Sequence, residues 1–236
     1  MRLTRRTIVP VPSRSAFAGF RFPPEVIVLA VRWYLRFGLS YRDVEELLAE
    51  RGIEVDHVTV HRWVQRFTPL LVDAARFGRH RVGDRWHVDE TYVKVAGRWL
   101  YLYRAVDQFG HVYASTRRDG EAARRFFQQA RTSTGVAPVE VVTDRAPTYP
   151  RVLDELWPTA WHCVERYANN RVEADHAQLK RRLRAMRGIK TMTGLRIFAA
   201  GHAFVQNLRR GHYEIATDQA RNLRPAIAFG QLATAV

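Results

Sequence analysis

Three carboxylates stand in unlike local settings: Asp89 in WHVDETYVKV, Asp144 in VEVVTDRAP and Glu173 in NNRVEADHAQLKRRLRAMRG. The first lies inside a strand-like run, the second where such a run ends, and the third opens a strongly basic helix. Distant acids gathered by a fold can hold divalent metal. Mg²⁺ takes hard oxygen ligands and keeps several waters, so a few carboxylates suffice. Two such ions roughly 3.5–4 Å apart serve both the attacking and the leaving oxygen of a phosphodiester transfer.

Each acid also has a plainer reading. A charge inside an apolar strand is costly, so Asp89 either serves a site or pairs with a buried Arg. Its neighbour Glu90 is sent to the opposite face by strand alternation, so only one of the two is expected at a given site. Asp144 alone reads as a turn or helix N-cap residue, although ligands do gather at the carboxyl ends of parallel strands. Glu173 competes with Asp175 and Glu165. At about 100° per residue, Val172, Leu179, Leu183 and Met186 form one buried stripe. Glu173 lies on one edge of it, in line with Lys180, Arg184 and Arg187, and Asp175 lies on the other. An acid that shares its face with phosphate-holding cations is the better candidate, which selects Glu173. The competing reading is a solvated helix face. Lys180 follows Glu173 by two turns, a reach suited to a phosphate next to metal. His176 is expected as a packed neighbour of the site. Trp99, Tyr101 and Tyr103 alternate along one strand face, where core packing is the default.

The whole chain favours a polyanionic partner. Its 38 Lys and Arg against 23 Asp and Glu leave a formal +15 over 236 residues, a balance that points to nucleic acid. A hydrophobic share of 47% supports a folded core,. Cys163 has no partner cysteine in the sequence, which excludes an intramolecular disulfide and fits a reducing, cytoplasmic setting,. Paired cysteine motifs for zinc are missing, and the apolar run Val26 to Val31 is cut by Arg32, too short for a bilayer,. No membrane association is expected.

Four segments are expected. Residues 1–20 read as a mobile basic arm. Residues 21–78 read as an all-α helix-turn-helix: Pro24 opens a helix ended near Gly38, SYRD from Ser40 has a capping-box pattern, and Asp56 caps a third helix. In that third helix Val60, Trp63, Val64 and Phe67 face inward at helical spacing, leaving His61, Arg62, Gln65 and Arg66 on a surface suited to phosphates and base edges. A helical bundle that merely packs is the alternative. Residues 79–190 supply strands at Trp86–Val95, Arg98–Val106, His111–Thr116, Val139–Thr143 and Trp161–Glu165. The helices between them give the order β-β-β-α-β-α-β-α, that of a ribonuclease-H-like mixed sheet with flanking helices. Asn169 and Asn170 are expected to cap the helix of Glu173. Residues 191–236 read as one further helix, Leu195 to Arg210, and a less regular tail packed on the catalytic domain.

At these residues the chain resembles the DDE transposases of the bacterial insertion-sequence-six family. YRDVEELLAERGIEVDHVTVHRWVQRF resembles the family's helix-turn-helix. WHVDETYVKVAGRWLYLYRAVD, VVTDRAPTYPRVL and NNRVEADHAQLKRR resemble its three acidic blocks. The resemblance implies that Asp89, Asp144 and Glu173 are the catalytic, metal-binding triad, with two Mg²⁺ ions that Mn²⁺ can replace. Lys180 matches the family's basic residue two turns beyond the glutamate. The resemblance further implies binding to double-stranded DNA at terminal inverted repeats and at a target, 3′-end cleavage, strand transfer by the freed 3′-hydroxyl, replicative cointegrates and a homo-oligomer. Two other readings use the same residues: a DNA-binding regulator without catalysis, and a different ribonuclease-H-like nuclease.

Overall fold

The computed structural model describes residues 15–80, 83–105, 111–115, 118–165, 168–186 and 188–236. The basic arm up to residue 14, the turn at Asp107 and the candidate Arg187 lie outside them. Three helices come first. Pro23 and Pro24 pre-set the start of α1 (Pro24–Arg36), which buries Ile27, Val31, Tyr34 and Leu35,. α2 (Tyr41–Ala49) begins with the expected capping box: Asp43 N donates to Ser40 Oγ at 3.2 Å and Ser40 N to Asp43 Oδ2 at 2.7 Å,. Asp56 caps α3 (His57–Ala74), accepting from Val58 N and Thr59 N.

The arm expected up to residue 20 is anchored in its last part. Phe17 is buried and stacks on Phe67 with ring centroids 4.5 Å apart, and Ala16 N donates to Val236 O at 2.6 Å. Aromatic burial outweighs the chain entropy that the Ser- and Arg-rich composition suggested.

The sheet has five strands in the order β3-β2-β1-β4-β5. β1 (Arg85–Val95) and β2 (Arg98–Ala105) form a hairpin whose turn, Ala96-Gly97, takes φ of 47° and 81°, the left-handed pair that a two-residue hairpin requires,. β3 (His111–Ser115) continues the antiparallel meander, and β4 (Glu140–Val142) and β5 (Trp161–Cys163) add in parallel. α4 (Gly120–Thr134), capped by Asp119, joins β3 to β4, and α5 (Tyr149–Leu156) joins β4 to β5. This is the ribonuclease-H-like arrangement expected from the element order. Trp86, Val88 and Tyr103 bury one sheet face under Phe126 and Phe127 of α4 and Val152 and Leu153 of α5.

The other face is covered by α6 (Asn170–Ala185) and α7 (Met192–Arg210). One apolar cluster runs from Val93, Val95 and Leu102 on the strands, through Leu179 and Phe198, to Val31, Trp63 and Phe67 of the first three helices. The reader-like helices therefore share a core with the sheet. Gly201 of α7 makes this close: a Cβ there would lie 2.5 Å from Leu35 and 2.8 Å from Thr68 side-chain carbons,. The region expected as a less regular tail holds a further helix, α8 (Arg224–Ala235), with Pro225 at its first turn and Ala228, Phe229 and Leu232 buried. It packs on α1, α3 and α7 and not simply on the sheet. Its apolar positions are few and lie among alanines, which hid the helical period. No helix among the described residues is long and apolar enough to cross a membrane.

Two buried polar assemblies tie the layers. Arg104 of β2 and Asp175 of α6, 1% and 0% exposed, form a close ion pair, with Arg210 of α7 3.0 Å from the same carboxylate. Arg182 of α6 donates to Tyr34 O at 2.6 Å, at the carboxyl end of α1, and lies 2.9 Å from His202 Nδ1 of α7,. Burial first, and then Arg104, Arg182 and Arg210, hold the His202 pKa well below its ordinary 6.5, so the ring is neutral and accepts from Arg182.

Unfolding frees His202 to take up a proton near pH 6.5, so stability is full above that pH and falls as pH drops through it,. Thermal melts between pH 8 and 5 should show this loss, and His202→Asn, which keeps an acceptor but cannot titrate, should flatten it; parallel curves for the two proteins would contradict the assignment. Removing one partner of the buried pair, in Asp175→Ala, should cost about 3–5 kcal/mol in urea unfolding. A cost below about 1 kcal/mol would show that the pair is not holding α6 to the sheet.

Candidate active site

Parallel pairing of β1 with β4 stops at His87 opposite Val142. Beyond it the edge of β1 is open, and the chain leaving β4 reaches Asp144 two residues later. Asn169, just before α6, fills part of that edge: its Nδ2 donates to Val88 O at 2.9 Å. Asn169 was expected as a side-chain cap of α6; it makes no such bond, because its amide serves the strand. This contact sets the start of α6 against β1 at Asp89.

Asp89, Glu90 and Asp144 place carboxylate oxygens within 4.8 Å of one another. The expectation that Asp89 and Glu90 could not share a site is thereby corrected. Alternation does send them to opposite faces, but with no neighbouring strand past His87 both reach round the open edge to Asp144. Asp89 Oδ1 accepts from Glu90 N at 2.8 Å, and its Oδ2 lies 3.0 Å from His176 Nδ1 on α6. Burial lowers the His176 pKa while the Asp89 hydrogen bond opposes it, so the neutral ring donates Nδ1–H to the carboxylate. Asp144 Oδ1 accepts from Ala146 N at 3.1 Å, so the plain turn role of this residue is also real.

Glu90 is the most enclosed of the three, its side chain 5% exposed. Tyr149 Oη donates to it, and Arg118 forms a close ion pair with it while standing 3.6 Å from Asp144 Oδ2. Burial raises the Glu90 pKa, the Tyr149 hydrogen bond and Arg118 pull it down, and Asp144 and Asp89 push it up again. Three acids and one guanidinium make a pocket rich in hard oxygen, a donor set that fits Mg²⁺ or Mn²⁺. The Arg118 guanidinium already occupies the cation-favouring side of the cluster.

Glu173 lies in the first turn of α6, exposed, outside that group of three. It precedes His176, the Asp89 partner, by one turn on the same side of the helix. Asp175, its rival, is consumed by Arg104 and Arg210. Glu165, the other rival, is exposed outside any strand or helix. Lys180 and Arg184 are exposed further along α6. On α3, His61, Arg62 and Arg66 are exposed and Gln65 half-buried; His61 packs edge-on against Tyr41, and Arg66 lies over the rings of Phe20 and Phe67. Glu90, Arg118 and Tyr149 were not foreseen. The adjacency of Glu90 to Asp89 was the available signal, and strand alternation argued it away. Of the aromatics expected in the core, Tyr103 is buried but Trp99 is 64% exposed.

Residues 83–212 match a family model described as a DDE domain. The chain is 38% identical over 180 residues to the transposase for insertion sequence-like element IS431mec of Staphylococcus aureus, covering 72% of this chain and 80% of the relative. The same figures describe the transposase for insertion sequence element IS257 in transposon Tn4003 of Staphylococcus aureus. Among solved structures, the HTLV-2 integrase catalytic core domain in complex with magnesium, in its dimeric form, is 19% identical with a TM-score of 0.38, covering 49% of this chain and 81% of that one. A simian T-cell lymphotropic virus intasome in complex with PP2A regulatory subunit B56 gamma is 17% identical with a TM-score of 0.39, covering 63% and 58%. The family match takes in Asp89, Asp144 and Glu173 together, and with relatives so similar over most of their length the chain belongs to the DDE transposases of the insertion-sequence-six family.

Proposed function

We propose that the chain is a polynucleotidyl transferase that cuts DNA at the ends of an insertion sequence and joins the freed 3′-hydroxyl to target DNA. The observation that carries this is the convergence of Asp89 and Asp144, 55 residues apart, at the open edge of β1. Asp89, Asp144 and Glu173 would hold two Mg²⁺ ions, for which Mn²⁺ can stand in. Metal bound there would ease deprotonation of the attacking water or 3′-hydroxyl and stabilise charge at the scissile phosphate.

The protein's own groups do the rest. His176 fixes the Asp89 carboxylate from below, leaving its other lone pairs directed at the pocket,. Asn169 and the Arg104–Asp175 pair hold the start of α6 against β1, and from its first turn Glu173 would complete the metal site. Lys180, Arg184 and Arg187 would grip the phosphate backbone leading to the site, and His61, Arg62, Gln65 and Arg66 would read the terminal repeat in a duplex groove. First, water displaces one side of a phosphodiester and leaves a 3′-hydroxyl; that hydroxyl then attacks a second phosphodiester, so one P–O bond forms for each that breaks. Joining two ends to one target calls for more than one copy of the chain, which supports a homo-oligomer. Replicative cointegrates are the expected product.

Asp144→Asn should abolish cleavage and joining of labelled element ends in Mg²⁺ while leaving terminal-repeat binding nearly intact. Joined product at the wild-type level would remove Asp144 from the metal site, and the absence of any product from the wild-type protein would favour the regulator reading. Lys180→Ala should weaken DNA binding and lower the slope of log K against log salt by about 0.9, because one phosphate is no longer neutralised. An unchanged slope would return Lys180 to a solvated helix face.

A further inference from the structure

The sheet face that carries Glu90 continues beyond it through Tyr92 and Lys94, which pair across β1–β2 with Tyr101 and Trp99. α4 and α5 bury the Trp86, Val88 and Tyr103 end of this face, and Tyr101 packs partly buried at the margin of that core. The remainder is open: Trp99 is 64% and Tyr92 48% exposed. Round the β1 edge it meets α6, which covers the other face, in a groove of about 790 Å³ lined by Tyr92, Lys94, Trp99, Tyr101, Lys180 and Arg184 among others. That volume is in the range of about 300–1,000 Å³ usual for small-molecule sites.

Its chemistry is mixed in an informative way. The Tyr92 and Tyr101 rings lie 5.0 Å apart, and Lys94 Nζ stands 5.8 Å from the centre of the Trp99 ring. Three cations line the groove, and no carboxylate is among its described lining residues. Flat aromatic faces between cations, without a neutralising acid, suit a ligand that is aromatic and anionic at once. A nucleotide outside a base-paired stack is such a ligand: its base stacks and its phosphate meets Lys or Arg. A duplex hides its base faces, so only an unpaired strand can use the rings. A protein partner would instead call for acids to meet the cations and would gain little from the open ring faces.

The groove also adjoins the acid cluster. Tyr92 is two residues from Glu90 along the same strand face, and Glu90 is held with Asp144 by Arg118. We propose that this groove takes an unpaired nucleotide of the DNA strand next to the cleavage site, stacking its base on Trp99 and Tyr92 and holding its phosphate with Lys94, Lys180 or Arg184. The inference rests on the DNA-processing reading above and adds that part of the bound DNA is single-stranded.

The test compares two fluorescent probes by anisotropy, with chelator present so that no cleavage is required: a blunt duplex, and the same duplex with a short single-stranded extension. The wild-type full chain should bind the extended probe more tightly. Trp99→Ala and Tyr92→Ala should each weaken binding of the extended probe about tenfold, or about 1.4 kcal/mol, and leave the blunt duplex unaffected. Trp99→Phe, which keeps a ring, should retain most of the advantage. Equal wild-type binding to both probes, equal loss on both, or no loss in Trp99→Ala overturns the proposal. So does a shift of free Trp99→Ala protein to a smaller species in sedimentation, which would assign the face to a second copy of the chain. Failure of the Asp144→Asn test would leave this result readable, because binding alone is scored.

Discussion

The position of α6 depends on one buried ion pair, Arg104 with Asp175. Two charges with almost no exposure are tolerated only while they remain together, since either left alone in the interior is strongly unfavourable. The pair therefore fixes α6 in rotation and height against β2, and Arg210 extends the constraint to α7. Every functional group on α6 inherits that register. His176 follows Asp175 and meets Asp89; Glu173, two residues before Asp175, is exposed in the first turn; Lys180 and Arg184 continue along the exposed side. A shift of α6 by one residue would put Gln178 or Lys180 where Leu179 is buried and Asp175 or Ala177 where His176 meets Asp89.

The second constraint is where β4 stops. A longer β1–β4 ladder would occupy the edge at Val88 to Glu90 with backbone hydrogen bonds. Because pairing ends at His87, the Val88 carbonyl is available to Asn169, and carboxylates from both faces reach one pocket. The pocket then holds an acid, Glu90, that the proposed triad does not include. Glu90 is held by Tyr149 and Arg118, and its raised pKa reflects burial beside two other carboxylates. Arg118 balances some of that negative charge from a loop that leads into α4. Metal and guanidinium draw on the same oxygens, which couples loading of the site to the position of this side chain.

The helix-turn-helix is not a separate bead. Its core continues through Gly201 of α7 and Arg182 of α6 into the layer that carries the acids. The α3 face proposed to read DNA and the helix of Glu173 thus sit on one packed body, which would limit how far DNA bound by one could lie from the other.

Local chemistry made much of this legible from the sequence alone. The capping box at Ser40, the Asp56 cap, the two-residue turn at Ala96-Gly97 and the inward faces of α3 and α4 depend on neighbours within a few residues, and the chain states them directly. The order of elements gave the sheet topology, and the acidic blocks pointed to Asp89 and Asp144, which the fold does bring together. Other features needed tertiary structure, because they arise where distant segments meet. Phe17 is anchored by Phe67 and Val236 by Ala16; Asn169 leaves its cap for a strand carbonyl; Asp175, one position of choice on a helical wheel, is settled by an arginine on β2. Alternation along β1 told correctly which way Asp89 and Glu90 point. Only the missing neighbour strand decided that both reach the same place, and only the limited span of α4 and α5 decided that Trp99 faces water instead of a core.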